Sequence, residues 1–219
     1  MKYSDCTKLN TELFGKKTRS FFNDLGTVFF LFTIAVFFVF IDFSSVYTGM
    51  AVRGPSMMPT YNPDYIENPE KEDIVYYTHL ENNDYKRGDI IIAKASDEKD
   101  IIKRVIGLPG DLIEIKYDTD YYYVFVNGVK LEEDYILSQK DMSVEHEKFY
   151  NLFGWKLVVP DNCLFILGDN RGNSNDSTFY GCFNYSDILG RVDYTVNAGD
   201  IPVVSLFIQL FLPKLYNLI

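Results

Sequence analysis

An uncharged apolar run dominates the amino-terminal part of the chain. Residues 25–41 read LGTVFFLFTIAVFFVFI and carry no charge, and apolar residues extend the run on both sides. At about 1.5 Å of rise per helical residue, this run covers about 25 Å, close to the thickness of a hydrocarbon core. We therefore predict a transmembrane anchor over residues 21–47. A cleaved secretory signal is the alternative, but the run is longer than a typical signal core, which favours an uncleaved anchor.

The charges around this run predict its orientation. Residues 1–20 hold five basic and two acidic residues, whereas the whole chain has a net charge of -10. Because basic flanks stay on the cytoplasmic side, we predict a cytoplasmic leader at 1–20 and an extracytoplasmic domain at 48–200. The predicted location is the cell membrane, crossed once.

Apolar positions after residue 71 follow a period of two or form unbroken short runs, as in β-strands. No run between residues 50 and 200 keeps helical spacing over more than about two turns. Asn127-Gly128 predicts a type I′ hairpin turn. We expect a mainly β fold, antiparallel and barrel-like or folded over, with polar loops at 62–72 and 138–148. The predicted strand segments are DIVYYT (73–78), DIIIAK (89–94), DLIEIK (111–116), YYYVFV (121–126) and NCLFILGD (162–169).

A second apolar segment ends the chain at residues 201–219. Two prolines, a glutamine and a lysine interrupt it. A second span, an interfacial segment and a packed segment all remain open for it.

Composition narrows the classes of function. Hydrophobic residues make up 47% and charged residues 24%, so neither a disordered chain nor a polytopic membrane protein fits. The acidic surplus argues against a nucleic-acid partner, which needs a basic surface. Cys163 and Cys182 would lie outside the cell, where a disulfide and two buried thiols are both compatible with the sequence.

Histidine is too scarce for most hydrolytic sites. His79 and His146 are the only two histidines, and neither has a second ligand at metal spacing, so we predict no metal and no cofactor. The same scarcity weakens a Ser-His-Asp triad and a Cys-His pair. The contexts of Cys163 and Cys182 do not favour a sortase-like cysteine transpeptidase. A hydrolase in this chain would need another base.

A neutral lysine can be that base. Its pKa, ordinarily near 10.4, must fall by about 3 units, which burial among apolar groups achieves. Lys103 lies within the apolar run IIKRVI (101–106), and in a strand it points away from Arg104, so one cation is buried while its neighbour stays in water. A lysine at a strand edge is more often solvated, so spacing alone does not decide.

The candidate nucleophile is Ser56 in the segment RGPSMMPT (53–60). Gly54, Pro55 and Pro59 place it on a rigid, irregular stretch, where a neighbouring backbone N–H is available to an oxyanion. A serine between glycine and proline is also the ordinary composition of a turn.

Four motifs in order resemble the bacterial type I signal peptidases. They are GPSMMPT (54–60), RGDI (87–90), KRVIGLPGD (103–111) and GDNRGNSNDS (168–177). With its single amino-terminal anchor, the chain resembles the short Gram-positive members of the family more than the longer members with two anchors. The resemblance implies that Ser56 is the nucleophile, that Lys103 is the general base, and that an ester acyl-enzyme forms and is hydrolysed.

The resemblance also assigns supporting roles. It implies that Ser174 hydrogen-bonds the lysine and that Asp176 braces the site. Thr178 stands where the family usually has an arginine that pairs with this aspartate, a role for which Arg171 is a candidate. Gly54 stands where some members carry a hydroxyl residue that donates to the oxyanion, which leaves the second donor open.

Substrates of the family carry small residues one and three positions before the scissile bond. Shallow apolar pockets explain this preference. By motif position, Val52, Met57 and Ile102 are expected to bind substrate as wall residues.

The function expected from the resemblance is a membrane-bound serine endopeptidase. Its partners would be preprotein signal peptides emerging from the export machinery and the lipid bilayer. A self-cleaving Ser-Lys repressor-type protease is disfavoured by the anchor. An inactive or specialised relative that acts in surface-protein or pilin assembly is the remaining alternative.

Overall fold

The computed structural model describes residues 3–96, 99–136, 138 and 142–200, although not the side chains of 3–17, 19–23 and 144. The chain divides into two compact units, Met1–Tyr47 and Thr48–Ile219. The segment 201–219, whose placement the sequence left open, lies outside the described residues.

The first unit contains one helix, α1 (Tyr3–Val46). Within it, Asp24–Val46 has a mean hydropathy of 2.4 and is long and apolar enough to cross a membrane. Its large side chains are exposed, with Phe29 at 70%. Thr33 satisfies its hydroxyl within the helix by donating to the Phe29 carbonyl at 2.9 Å. Exposed apolar side chains and internally satisfied polar groups suit a lipid environment.

The described part of the second unit is built mainly of short strands, with two short α-helices, α2 (Met142–Phe153) and α3 (Ser177–Tyr180). The strands are β1 (Thr48–Ala51), β2 (Ile74–Thr78), β3 (Ile90–Ser96), β4 (Lys99–Gly107), β5 (Leu112–Asp118), β6 (Tyr121–Val126), β7 (Val129–Lys130), β8 (Leu157–Val158), β9 (Cys163–Leu167), β10 (Phe183–Asn184) and β11 (Ile188–Val196).

These strands form two sheets in which every described pair is antiparallel. The seven-stranded sheet has the order β1-β2-β11-β3-β4-β9-β10, and the four-stranded sheet has the order β7-β6-β5-β8. Both orders are linear over the described residues, so the sheets are open. The expected mainly antiparallel β fold after one helix is confirmed.

The local predictions were mostly right. All five predicted strand segments contain a strand, and the hairpin between β6 and β7 has positive φ at Asn127 (53°) and Gly128 (79°), as a type I′ turn requires. The polar loop predicted at 138–148 is wrong from Met142 onward, where α2 begins. Cys163 and Cys182 are both free thiols.

Three buried apolar clusters form the core of the second unit. The cluster beneath the candidate site joins residues from β2, β3 and β4 with residues from the loop after β1. Its members are Val52, Met57, Tyr61, Val75, Ile92 and Ile102.

Candidate active site

The loop that carries Ser56 is fixed from below by one asparagine. The Asn62 side-chain amide donates to the Val52 carbonyl at 2.7 Å and to the Gly54 carbonyl at 3.3 Å. Gly54 has φ +83°, a left-handed conformation that favours glycine. These contacts explain how an irregular segment holds Ser56 in one place.

Lys103 lies on β4 and reaches this loop. Its side chain is buried, with 2% of the residue exposed. The amine Nζ lies 2.7 Å from Ser56 Oγ and donates to the Ile102 carbonyl at 2.6 Å. The structure therefore brings together the two residues that the motifs singled out, although they are 47 positions apart in sequence.

Burial changes the acidity of this amine. Desolvation is the main cause that lowers the pKa of Lys103 to about 8; the charge of Lys99 acts in the same direction, while Asp176, Asp169 and Glu145 oppose the shift. Much of the amine is then neutral in mildly alkaline water, and a neutral amine accepts a proton from the hydroxyl 2.7 Å away.

The segment after β9 closes against the Ser56 loop. A Cβ at Gly168 would overlap Ser174 Oγ and would lie 2.5 Å from the Ser56 carbonyl oxygen, so only glycine fits there. Asn170 donates its backbone N–H to the Ser56 carbonyl at 3.1 Å and its side-chain amide to the Pro55 carbonyl at 3.0 Å. This turn is therefore a direct brace of the serine loop.

Arg104 and Asp169 connect strand β4, the turn after β9 and the loop that carries Ser56. Arg104 donates to both oxygens of Asp169, at 2.8 and 2.6 Å, and Thr60 donates its hydroxyl to the same carboxylate. The guanidinium lies 4.0 Å from the ring centroid of Tyr135. The expectation that Arg104 stays in water was wrong, since its side chain is 12% exposed and fully paired with buried Asp169.

Asp176 braces the segment from the other side. Its Oδ2 accepts from the Gly168 N–H at 2.9 Å, and its Oδ1 accepts from the Thr178 backbone N–H at 3.1 Å. Thr178 Oγ1 lies 2.9 Å from the same Oδ1. Ser174 is buried in the same segment, and its Oγ has no hydrogen-bond partner among the described residues. The amine of Lys103 bonds to Ser56 and Ile102 instead.

Arg171 pairs with a different acid from the one proposed for it. It is fully buried, forms two hydrogen bonds with Glu133, and donates to the Gly168 carbonyl at 3.0 Å. Sequence reasoning also missed Glu145, which lies 2.8 Å from the Thr178 hydroxyl. Glu133 and Glu145 stand in polar stretches with no pattern that indicates burial.

An open pocket of about 570 Å³ lies over Ser56 and Lys103. Ile102 belongs to the buried cluster and also lines the pocket, whereas the other two expected wall residues, Val52 and Met57, do not line it and are each 1% exposed. The lining residues are Met50, Ala51, Arg53, Gly54, Pro55, Ser56, Lys99, Asp100, Ile101, Ile102, Lys103, Asn173, Ser174 and Asn175.

Comparison with known proteins gives a consistent family. A family model for signal peptidase, peptidase S26, matches residues 25–197. Signal peptidase I P of Bacillus subtilis subsp. natto is 38% identical over 164 residues, which cover 72% of this chain and 80% of that protein. Signal peptidase IB of Staphylococcus aureus (strain COL) is 30% identical over 178 residues, 75% of this chain and 86% of that protein. A crystal structure of a signal peptidase I from Enterococcus faecalis V583 aligns with a TM-score of 0.37 and 25% identity, over 51% of this chain and 98% of that one.

Proposed function

Since the chain belongs to the signal peptidase family, peptidase S26, we propose that it cleaves amino-terminal signal peptides from exported preproteins with Ser56 as nucleophile and Lys103 as general base. The family membership agrees with the resemblance that the four motifs indicated. The observation that carries the residue assignment is the contact between the two side chains. Lys103 Nζ is buried and lies 2.7 Å from Ser56 Oγ.

The chemistry follows from this pair. Neutral Lys103 takes the proton of the Ser56 hydroxyl as Oγ attacks the scissile carbonyl carbon, and the Ser56 backbone N–H stabilises the oxyanion. The protonated amine then gives its proton to the departing nitrogen, which leaves an ester on Ser56. Lys103, neutral again, takes a proton from water as that water attacks the ester carbonyl, and returns it to Ser56 Oγ as the ester bond breaks, which restores the hydroxyl and the neutral amine.

Two exposed strand edges beside the pocket suit an extended substrate. Over the described residues, β1 is the outer strand of its sheet, and β9 pairs with β4 only from Arg104 onward. Residues 99–103 of β4 therefore keep one edge available, and pocket-lining residues belong to both strands. An extended peptide pairs with such edges through its backbone, so side-chain selection falls to the part of the pocket that Ile102 lines.

The proposed setting is the outer face of the cell membrane. The apolar helix Asp24–Val46 anchors the chain, the basic leader stays in the cytoplasm, and the β unit meets preproteins as they emerge from the export machinery. An inactive relative is not favoured, because Ser56 and Lys103 are both present and in contact.

The test is cleavage of a preprotein with an Ala-x-Ala site by the purified full chain in detergent. We expect the parent to cleave it with a rate that rises as pH passes about 8 and Lys103 loses its proton. Ser56→Ala and Lys103→Met should each lower the rate at least about a thousandfold, as for members of one catalytic unit. Lys94→Met, at an exposed lysine of β3, is the control and should cleave like the parent. Cleavage that survives Ser56→Ala, or a rate insensitive to alkaline pH, would overturn the assignment.

A further inference from the structure

We propose that Glu145 and Lys148 of helix α2 are positioning residues for this reaction, holding the segment 174–178 against Gly168 and thereby the Ser56 loop. The proposal rests on the proposed function of Ser56 and Lys103. Neither residue touches the reacting atoms in the structure.

Helix α2, which carries these two side chains, packs one face into the core. Its buried face runs through Met142, Glu145 and Phe149, which are 0%, 0% and 1% exposed. The ring of Phe149 packs against Phe153 and Phe165 at centroid distances of 5.2 and 6.0 Å. Glu145 thus stands in the middle of an apolar stripe, where a carboxyl group is costly unless it has partners.

The partners of α2 lie at both ends of the segment 174–178. Lys148 Nζ donates to the Ser174 carbonyl at 2.7 Å and to Glu145 Oε1 at 3.2 Å. Glu145 Oε2 lies 2.8 Å from Thr178 Oγ1. The helix therefore forms hydrogen bonds with the segment on either side of Asp176.

The segment transmits this position to the nucleophile. Asp176 accepts the Gly168 N–H at 2.9 Å, and Gly168 packs so closely between Ser174 Oγ and the Ser56 carbonyl that a methyl group does not fit. A shift of the segment therefore moves Gly168, and with it the support of Ser56.

The hydroxyl group of Thr178 lies between two carboxyl groups, and the number of available protons decides which bonds can form. Thr178 Oγ1 lies 2.8 Å from Glu145 Oε2 and 2.9 Å from Asp176 Oδ1. One hydroxyl has one hydrogen, and two ionised carboxylates can only accept, so both bonds form only when one carboxyl group is protonated. Glu145 then donates to Thr178, and Thr178 donates to Asp176.

The surroundings place that proton on Glu145. Burial is the main cause that raises the pKa of Glu145 to about 7; the charge of Asp176 acts in the same direction, while Lys148 and the Thr178 hydrogen bond oppose the shift. Lys103 of β4 is the further charged group that acts on Glu145. Glu145 is therefore mostly protonated below pH about 7 and loses its proton as the pH rises past that value, which sets two ionised carboxylates against one hydroxyl.

This arrangement takes the place of a cation at position 178. Where the family pattern usually provides an arginine beside Asp176, this chain provides a neutral hydroxyl, a protonated carboxyl group and, one helical turn along α2, the ammonium group of Lys148.

The experiment compares kcat and KM for Ala-x-Ala preprotein cleavage by full-chain variants between pH 6.5 and 9.5, with thermal unfolding measured alongside. We expect Lys148→Met and Glu145→Leu to lower kcat about tenfold with little change in KM, the loss expected when a charge-assisted positioning bond is removed. Glu145→Gln keeps an amide that donates to Thr178 at every pH. It should match the parent near pH 6.5 and exceed it severalfold near pH 9, where the parent's Glu145 is ionised.

Two exposed residues provide matched controls, Glu147→Gln on the same helix and Lys156→Met just after it, and both should behave like the parent. The proposal is overturned if Lys148→Met keeps the parent kcat, if it only lowers the unfolding temperature, or if the ratio of Glu145→Gln to parent stays flat with pH. Failure of the parent itself to cleave would instead overturn the proposed function, so the two failures are distinguishable.

Discussion

At Lys103, the proposed chemistry and the stability of the fold make opposite demands. A general base must be neutral near the working pH, and burial supplies this by lowering the pKa of the amine from 10.5 to about 8. In the unfolded chain the amine keeps its ordinary pKa, so below pH 8 the folded protein holds a buried cation that water would solvate better.

Replacing Lys103 with methionine should therefore stabilise the protein while it abolishes cleavage. The lowered pKa means that the folded state binds this proton less tightly than the unfolded state does, so Lys103 lowers stability fully below pH about 8 and ceases to do so above pH about 10.5. A shift of this size corresponds to about 3 kcal/mol. Denaturant unfolding at pH 7 should show Lys103→Met to be the more stable by up to that amount, and the gain should shrink by pH 10. Lys94→Met is the control, and a loss of stability in Lys103→Met at pH 7 would contradict this reasoning.

The residues of the candidate site divide by how they could be found. Ser56 and Lys103 stand in motifs long enough to name a family. The apolar run around Lys103 made it a candidate for burial without deciding the question, and the structure buries it. Glu145, Lys148 and Glu133 could not be found, because their partners are distant in sequence and polar residues in a charged stretch are ordinarily solvated. Burial of these residues is a property of tertiary packing alone.

At the level of elements, the Ser56 loop, strand β4 and the turn after β9 meet at one buried ion pair. Asp169 accepts from Arg104 of β4 and from Thr60 of the loop, and its neighbour Asn170 bonds the Ser56 carbonyl. The relative position of Ser56 and Lys103 therefore depends on the Arg104–Asp169 ion pair, in which neither residue takes part.

Asp169→Asn should lower both stability and activity. It leaves the Arg104 guanidinium buried without its charge partner, which typically costs about 3 to 5 kcal/mol. We expect a clear fall in the free energy of unfolding and a lower kcat. Asp193→Asn removes the partner of the more exposed Arg191 and should change stability by less than about 1 kcal/mol. Equal effects of the two substitutions would show that the Asp169 pair has no special structural role.

The strands were predictable and helix α2 was not, for a physical reason. Strand segments such as 121–126 are rich in aromatic and β-branched residues between turn signals, which is a local pattern. In α2 the buried stripe is interrupted by Glu145, so the helical period of apolar positions is broken where the helix contacts the site. The residue that contacts the site, Glu145, is thus the same residue that hides the helical pattern in the sequence.

At the scale of the whole molecule, charge is distributed unevenly along the chain. The leader at 1–20 holds five basic and two acidic residues, while the chain as a whole has a net charge of -10. The apolar segment Asp24–Val46 separates the basic leader from the acidic β unit. Basic flanks resist transfer across a bacterial membrane, so this distribution favours one orientation of the anchor.

Protease protection in cells tests that orientation. In right-side-out spheroplasts, added protease should remove the β unit and leave a protected fragment that contains the leader and α1, whereas inverted vesicles should protect the β unit. Replacing the five basic residues of the leader with glutamine removes the bias and should yield a mixed population. Protection of the β unit in intact spheroplasts would place Ser56 and Lys103 on the cytoplasmic side, where a preprotein has not yet crossed the membrane, and the proposed encounter with emerging signal peptides would fail even if purified protein cleaves them.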